Sequence, residues 1–217
     1  MTALIVDYKL SNLHSVQAAC NAVGLDAEIT SDSGRLKSAD AIILPGVGSF
    51  GTAMKNIKDL GLDSSIKDFA LSGKPLFGVC LGLQLLFESS EEFGHNEGLS
   101  ILKGTVKKFT SYSNESEKFP IPQIGWNTIY KNNHNWRESY LSECSNKAYM
   151  YFVHSYYVEP EDDSIILSKT SYGDQEYCSS VKQDNIFATQ FHPEKSGVEG
   201  LSIYKTFKIF LRNSHET

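Results

Sequence analysis

The stretch Pro75-Leu76-Phe77-Gly78-Val79-Cys80-Leu81-Gly82-Leu83-Gln84-Leu85-Leu86-Phe87-Glu88 decides how this chain is built. The apolar run from Pro75 to Val79 reads as a strand buried on both faces, and Leu81 to Glu88 reads as a helix leaving it. A strand that feeds a helix through a glycine-flanked turn is the repeating unit of a parallel sheet with crossover helices.

Upstream the same alternation recurs. Ala3 to Val6, Ala27 to Thr30 and Ala41 to Leu44 read as strands. Leu13, Val16, Cys20 and Val23 recur at helical spacing up to Gly24, and apolar residues between Phe50 and Ser72 predict two short helices broken at Gly61. Downstream, β-rich runs over 104–109, 123–130, 149–158, 165–169, 177–181 and 186–191 follow one another without helices, which predicts antiparallel pairing. Thr110 to Lys118 reads as a polar surface loop and Leu201 to Leu211 as a closing helix. The expected fold class is α/β: a central, mostly parallel sheet flanked by helices, with additional antiparallel strands, in a single domain over residues 1–217.

Composition narrows the function. With 41% hydrophobic and 21% charged residues the chain is an ordinary folded globule. A net charge of −6 without a cationic block argues against nucleic acid as a partner. The longest uncharged run, Leu10 to Leu25, contains Asn, His, Gln and Ser, so no membrane span is predicted. Ala3 to Val6 has no basic flank and ends at Asp7, unlike a secretion signal, so the expected location is the cytoplasm. The cysteines at 20, 80, 144 and 178 form no C-x-x-C pair and the histidines no H-x-x-x-H pair; reduced thiols and no metal or cofactor are expected.

Three motifs carry chemistry. Gly78-Val79-Cys80-Leu81-Gly82 is the thiol counterpart of the G-x-S-x-G nucleophile elbow. There the sulfur would face the start of the next helix, which favours a thiolate, and the Leu81 N–H would stand ready for an oxyanion. The alternative is a small buried hydrophobe, the usual lot of a free cysteine. In His192-Pro193-Glu194 the residue before proline is extended, so His192 and Glu194 fall on one face. An imidazole backed by a carboxylate is what a cysteine nucleophile needs, although the same tripeptide also suits a surface loop. The third motif, Pro45-Gly46-Val47-Gly48-Ser49-Phe50-Gly51, lets backbone N–H groups approach a ligand. It also matches the dinucleotide fingerprint through Gly46, Gly48 and Gly51. That reading lacks its acid, because Asp68 lies in a helical pattern and the next strand ends at Cys80.

Together with Gly125-Trp126-Asn127, Tyr151-Phe152-Val153-His154-Ser155-Tyr156 and Gln190-Phe191-His192-Pro193-Glu194-Lys195-Ser196, these motifs run in order over nearly the whole chain. The sequence resembles the class I glutamine amidotransferases and, within them, the glutaminase subunits of imidazole glycerol phosphate synthases of histidine biosynthesis. The resemblance implies a catalytic triad of Cys80, His192 and Glu194, with Val47 and Leu81 as oxyanion donors. It implies that Gly48, Gln84, Glu92, Ser155 and Tyr156 hold glutamine. It also implies a separate synthase (cyclase) subunit with a (β/α)8 barrel, met near Asn12 and Trp126 in a heterodimer that receives the ammonia. From the residues themselves, Glu92 also suits a solvated acidic face, Gln84 a structural hydrogen bond, and Trp126 a strand core.

One loop departs from the family. In Asp7-Tyr8-Lys9-Leu10-Ser11-Asn12, Lys9 and Ser11 stand where glycines are usual. The departure keeps open a partner that installs amidines on bacterial surface sugars. A cysteine hydrolase outside the amidotransferases would retain the elbow but need neither Gln84 nor the H-P-E sequence.

Overall fold

The computed structural model describes residues 1–10, 12–110, 119–132 and 136–213. The chain lays down β1 (Thr2–Val6), α1 (Leu13–Ala22), β2 (Asp26–Thr30), α2 (Ser33–Ser38), β3 (Ala41–Gly46), α3 (Phe50–Asp59), α4 (Asp63–Leu71), β4 (Leu76–Cys80) and α5 (Leu81–Leu85). Short β5 (Ser89–Ser90) and β6 (Asn96–Glu97) precede β7 (Gly104–Lys108), β8 (Gln123–Thr128), β9 (Tyr130–Lys131), β10 (Tyr149–His154) and β11 (Tyr156–Pro160). Then come β12 (Ile166–Tyr172), β13 (Gln175–Gln183), β14 (Ile186–Thr189) and α6 (Gly197–Asn213).

The main sheet runs β2-β1-β3-β4-β14-β13-β11-β7-β5-β6, with β12 and β9 joined to it at β13. From β2 to β14 every pairing is parallel; β13, β11 and β7 continue antiparallel. A separate antiparallel ribbon pairs β8 with β10.

Alternation along the strands fills two cores. Leu4, Val6, Ile42 and Leu44 pack on one face with Phe50, Ala53, Met54 and Ile57, the helical stripe of α3. Ala3, Ile5, Ala41, Ile43 and Phe77 pack on the other with Val16 and Cys20 of α1 and Ile203, Tyr204 and Phe207 of α6. The Phe77 ring centre lies 5.1 Å from that of Phe187 and 5.5 Å from those of Tyr204 and Phe207. Side chains of this size contribute about 1.5–3 kcal/mol each by burial, so the floor beneath Cys80 is firmly built. No helix among the described residues is long and apolar enough to cross a membrane.

The fold class matches the sequence reading; some boundaries do not. The helix after the elbow stops at Leu85 rather than Glu88, because the Leu85, Leu86 and Phe87 carbonyls accept N–H groups from Leu99 to Leu102. The run 149–158 is two strands broken at Ser155, whose carbonyl accepts the Phe109 N–H while the chain passes from one sheet to the other. Helix α2 escaped the sequence reading; its start is capped by Asp32, which accepts the Gly34 N–H at 2.8 Å. Of the expected polar loop, residues 111–118 lie outside the described residues, as does Ser11.

Parallel pairing also positions the chemistry. Gly46 of β3 stands opposite Cys80 on one side of β4, and Thr189 of β14 stands opposite Val79 on the other. The elbow, the glycine loop and the segment after β14 therefore meet at the carboxyl ends of neighbouring strands, where open α/β sheets bind ligands.

Candidate active site

Cys80 closes β4 with φ 54° and ψ −107°, a conformation that side chains other than glycine rarely adopt. Its neighbours permit it. A Cβ on Gly82 would collide with the Leu44 carbonyl, and one on Gly78 would lie 2.9 Å from the Ala188 methyl. The chain turns within this narrow space and holds the sulfur at the floor of a cavity of about 320 Å³. With only one short turn of helix behind it, the thiol has local N–H groups beside it rather than the helix to Glu88 that the sequence suggested.

His192 is extended at φ −101° and ψ 95°, and Glu194 lies in the 3-10 turn that Pro193 starts. His192 Nδ1 and Glu194 Oε1 are 2.7 Å apart, and both side chains are buried. The backbone fixes the ring: the His192 N–H donates to Tyr151 O at 2.9 Å, and Ser196 Oγ donates to His192 O at 2.6 Å. Burial opposes the protonated ring, but the charge and hydrogen bond of Cys80, together with Glu194, outweigh it and hold the His192 pKa above the usual histidine range. Nε2 is the nitrogen left for the sulfur. The arrangement can carry a thiolate–imidazolium pair and move a proton at Nε2.

The cavity is lined by Val47, Gly48, Cys80, Leu81, Gln84, Glu92, Pro122, Val153, His154, Ser155 and Tyr156. All five residues expected to hold glutamine are among them. The Glu92 carboxylate accepts the Phe50 N–H at the start of α3, so it caps that helix and puts negative charge at the cavity wall. Gln84 Nε2 donates to Tyr156 O at 2.9 Å and to Gln190 Oε1 at 3.1 Å, leaving its oxygen as an acceptor.

Val47 departs from expectation. Its N–H donates to Leu10 O at 3.0 Å, so it is not offered to a reacting oxygen in this arrangement; Leu81, at the first position of α5, is the donor in place. The glycine loop is pinned by Tyr8, whose hydroxyl donates to Pro45 O at 2.7 Å and occupies the space that a Cβ on Gly46 would need. Lys9 takes φ 70°, the conformation a glycine would favour, and its N–H and Nζ both bond Asp7 at 2.8 Å.

Asn12 precedes α1 and is exposed. Trp126 is not a core aromatic: it is 57% exposed, beside Ile124 and Tyr149 on the outer face of the β8–β10 ribbon. Val153 pairs with Ile124 in that ribbon and also lines the cavity, so the apolar face adjoins the cleft.

Sequence reasoning gave no role to Pro122, Val153, His154 or Gln190. His154 is buried; burial pushes its pKa down to about 4 against the pull of its hydrogen bond to Tyr156 O. A polar residue inside a buried strand that needs a partner is the signal that could have marked His154 and Gln190.

A cysteine elbow, a histidine–carboxylate pair from the adjoining parallel strand and a glycine loop at the same sheet edge define a family. Residues 4–209 match the model of glutamine amidotransferase class-I, and the chain belongs to that family. Its relatives include the imidazole glycerol phosphate synthase subunit HisH of Sulfurimonas denitrificans, 45% identical over 203 residues that cover 94% of this chain and 95% of that protein. The subunit of the same name from Aquifex aeolicus is 45% identical over 210 residues, 96% of each chain. Among solved structures, PurLQS from Thermotoga maritima superposes with TM-score 0.72 at 19% identity, covering 97% of this chain and 98% of that one. A glutamine amidotransferase superposes with TM-score 0.72 at 18% identity, covering 96% and 98%; at such identities the likeness is one of fold.

Proposed function

We propose that residues 1–217 form one glutaminase domain, which hydrolyses glutamine to glutamate and ammonia through a thioester on Cys80. It passes the ammonia to the separate (β/α)8-barrel partner that makes imidazole glycerol phosphate, in a cytoplasmic heterodimer of histidine biosynthesis. The observation that carries the reading is the buried His192–Glu194 pair, 2.7 Å apart, whose Nε2 is buried with no other hydrogen-bond partner among the described residues and so stays available to the elbow cysteine. Relatives named HisH along nearly the full chain favour histidine biosynthesis over the surface-sugar partner that Lys9 and Ser11 kept open.

The Cys80 thiolate attacks the side-chain carbonyl carbon of glutamine, and the oxygen takes up the negative charge beside the Leu81 N–H. The His192 imidazolium gives its Nε2 proton to the leaving nitrogen, the C–N bond breaks, and ammonia departs. Neutral His192 then draws a proton from water, which attacks the thioester; glutamate leaves and the thiolate returns. Glu194 keeps the ring oriented and supports its charged form. Glu92 attracts the α-ammonium of the substrate, and the free oxygen of Gln84 adds an acceptor.

The second oxyanion donor, Val47, requires the Gly46–Val47 peptide to turn away from Leu10. The Leu10 carbonyl belongs to the loop between Lys9 and Asn12, and the exposed face of Ile124, Trp126 and Tyr149 offers an apolar docking surface beside the cleft. A synthase seated there would meet ammonia as it leaves Cys80, past Val153, whose carbonyl lies 4.0 Å from the sulfur.

The test is ammonia release from glutamine by the assembled enzyme. Cys80→Ala should lower it by about 10³-fold or more. A variant that releases ammonia at the parent rate contradicts the reading.

A further inference from the structure

Gln190 is fully buried against the nucleophile, and the reaction above gives it no task. It follows Thr189, which stands opposite Val79, so Gln190 comes level with Cys80. Its backbone N–H is anchored on Ser179 O at 2.9 Å. Its side chain reaches two groups: Nε2 lies 3.8 Å from Cys80 Sγ, and Oε1 accepts from Gln84 Nε2 at 3.1 Å.

The donors and acceptors along this chain leave one consistent arrangement. Gln84 gives its other amide hydrogen to the Tyr156 carbonyl, so toward Gln190 it presents a donor. Gln190 must answer with its oxygen, which leaves its NH₂ for the sulfur. An amide N–H at this distance is a weak partner for a neutral thiol and a stronger one for a thiolate, because hydrogen bonds to charged acceptors are shorter and stronger.

We propose that Gln190 is a positioning residue: its amide, oriented by Gln84, holds the Cys80 sulfur on the elbow and favours its thiolate. The inference rests on Cys80 being the nucleophile of the glutaminase reading, and it extends that reading to the wall behind the sulfur. The titratable groups that sense the sulfur's charge are His192, after β14, and Tyr8, after β1. Both stay unchanged in the variants below.

The experiment is alkylation of Cys80 by iodoacetamide in the full chain, followed across pH by peptide mass analysis; it needs no glutamine. Gln190→Met and Gln190→Leu both remove the donor to sulfur without adding a charge beside it. Each should raise the alkylation midpoint by about one pH unit. Gln84→Met removes the donor that orients Gln190, adds no charge, frees the Gln190 amide to turn over, and should raise the midpoint without touching Gln190, which keeps the test open if the Gln190 variants fail to fold. Folded variants that alkylate with the parent midpoint overturn the proposal, even if their glutamine turnover falls. A parent that is inert toward glutamine even with its synthase bound, but whose variants shift, would sink the glutaminase reading and leave the contact between Gln190 and the sulfur standing.

Discussion

The two sides of Cys80 differ in readiness. On the His192 side the parts are in place: imidazole and carboxylate are 2.7 Å apart, buried, and tied to backbone on both flanks. On the glycine-loop side Val47 points its N–H at Leu10 O, and Leu81 is the donor at hand. The first side rests on apolar packing internal to this chain. The second is tied to the Leu10 carbonyl, outside the strands and helices. On the proposed mechanism, a glutaminase built this way would hold its acid–base pair assembled in the isolated chain and leave its transition-state stabilisation to be completed by the synthase.

That contrast predicts where the effects fall. Adding the cognate synthase should raise glutamine hydrolysis by about 10²-fold or more, the scale of one oxyanion donor; equal steady-state rates with and without it would mean that the glycine loop is already competent. Glu194→Gln should cost about 10²-fold in turnover with little change in KM, and in the isolated chain as much as in the complex. A loss confined to the complex would break the separation of the two sides. Trp126→Ala should leave the fold and basal rate of the isolated chain intact while weakening synthase binding about 30-fold, measurable by titration calorimetry. An unchanged affinity would move the docking surface elsewhere.

The smallest effect concerns the cavity wall. His154 has a folded-state pKa of about 4, below its ordinary 6.5, so the unfolded chain takes up the proton first and stability falls as pH drops through this window. His192 is shifted the other way, and its contribution changes above 6.5. Between pH 6.5 and 5.5 the loss from His154 should be about 1 kcal/mol in urea unfolding. His154→Gln should remove that slope; the same slope in the variant would assign it to other groups.

Much of this was legible in the sequence, for identifiable reasons. The alternation of buried strands and amphipathic helices up to Cys80 is a local pattern, and the parallel core follows it. The elbow was legible because Gly78 and Gly82 do what only glycine can do there, and His192-Pro193-Glu194 because proline fixes the backbone before it. What stayed hidden depends on distant partners. The early end of α5 is imposed by N–H groups from Leu99 to Leu102, and the break at Ser155 by Phe109. The direction of the Val47 N–H is a single peptide rotation that residue types do not encode. Lys9 shows the converse: a side chain where glycine is usual still takes a positive φ, held by Asp7. Gln190 was visible only as part of a motif, since its task depends on a neighbouring strand and on Gln84.

On the proposed mechanism Cys80 becomes covalently joined to the substrate during each turnover. Acid-quenching the assembled enzyme during turnover of glutamine labelled in its carbon chain tests it directly. Label should be recovered on the peptide carrying Cys80, be released by hydroxylamine, and be missing in Cys80→Ala. Ammonia produced at the full rate while that peptide never carries label would contradict the account.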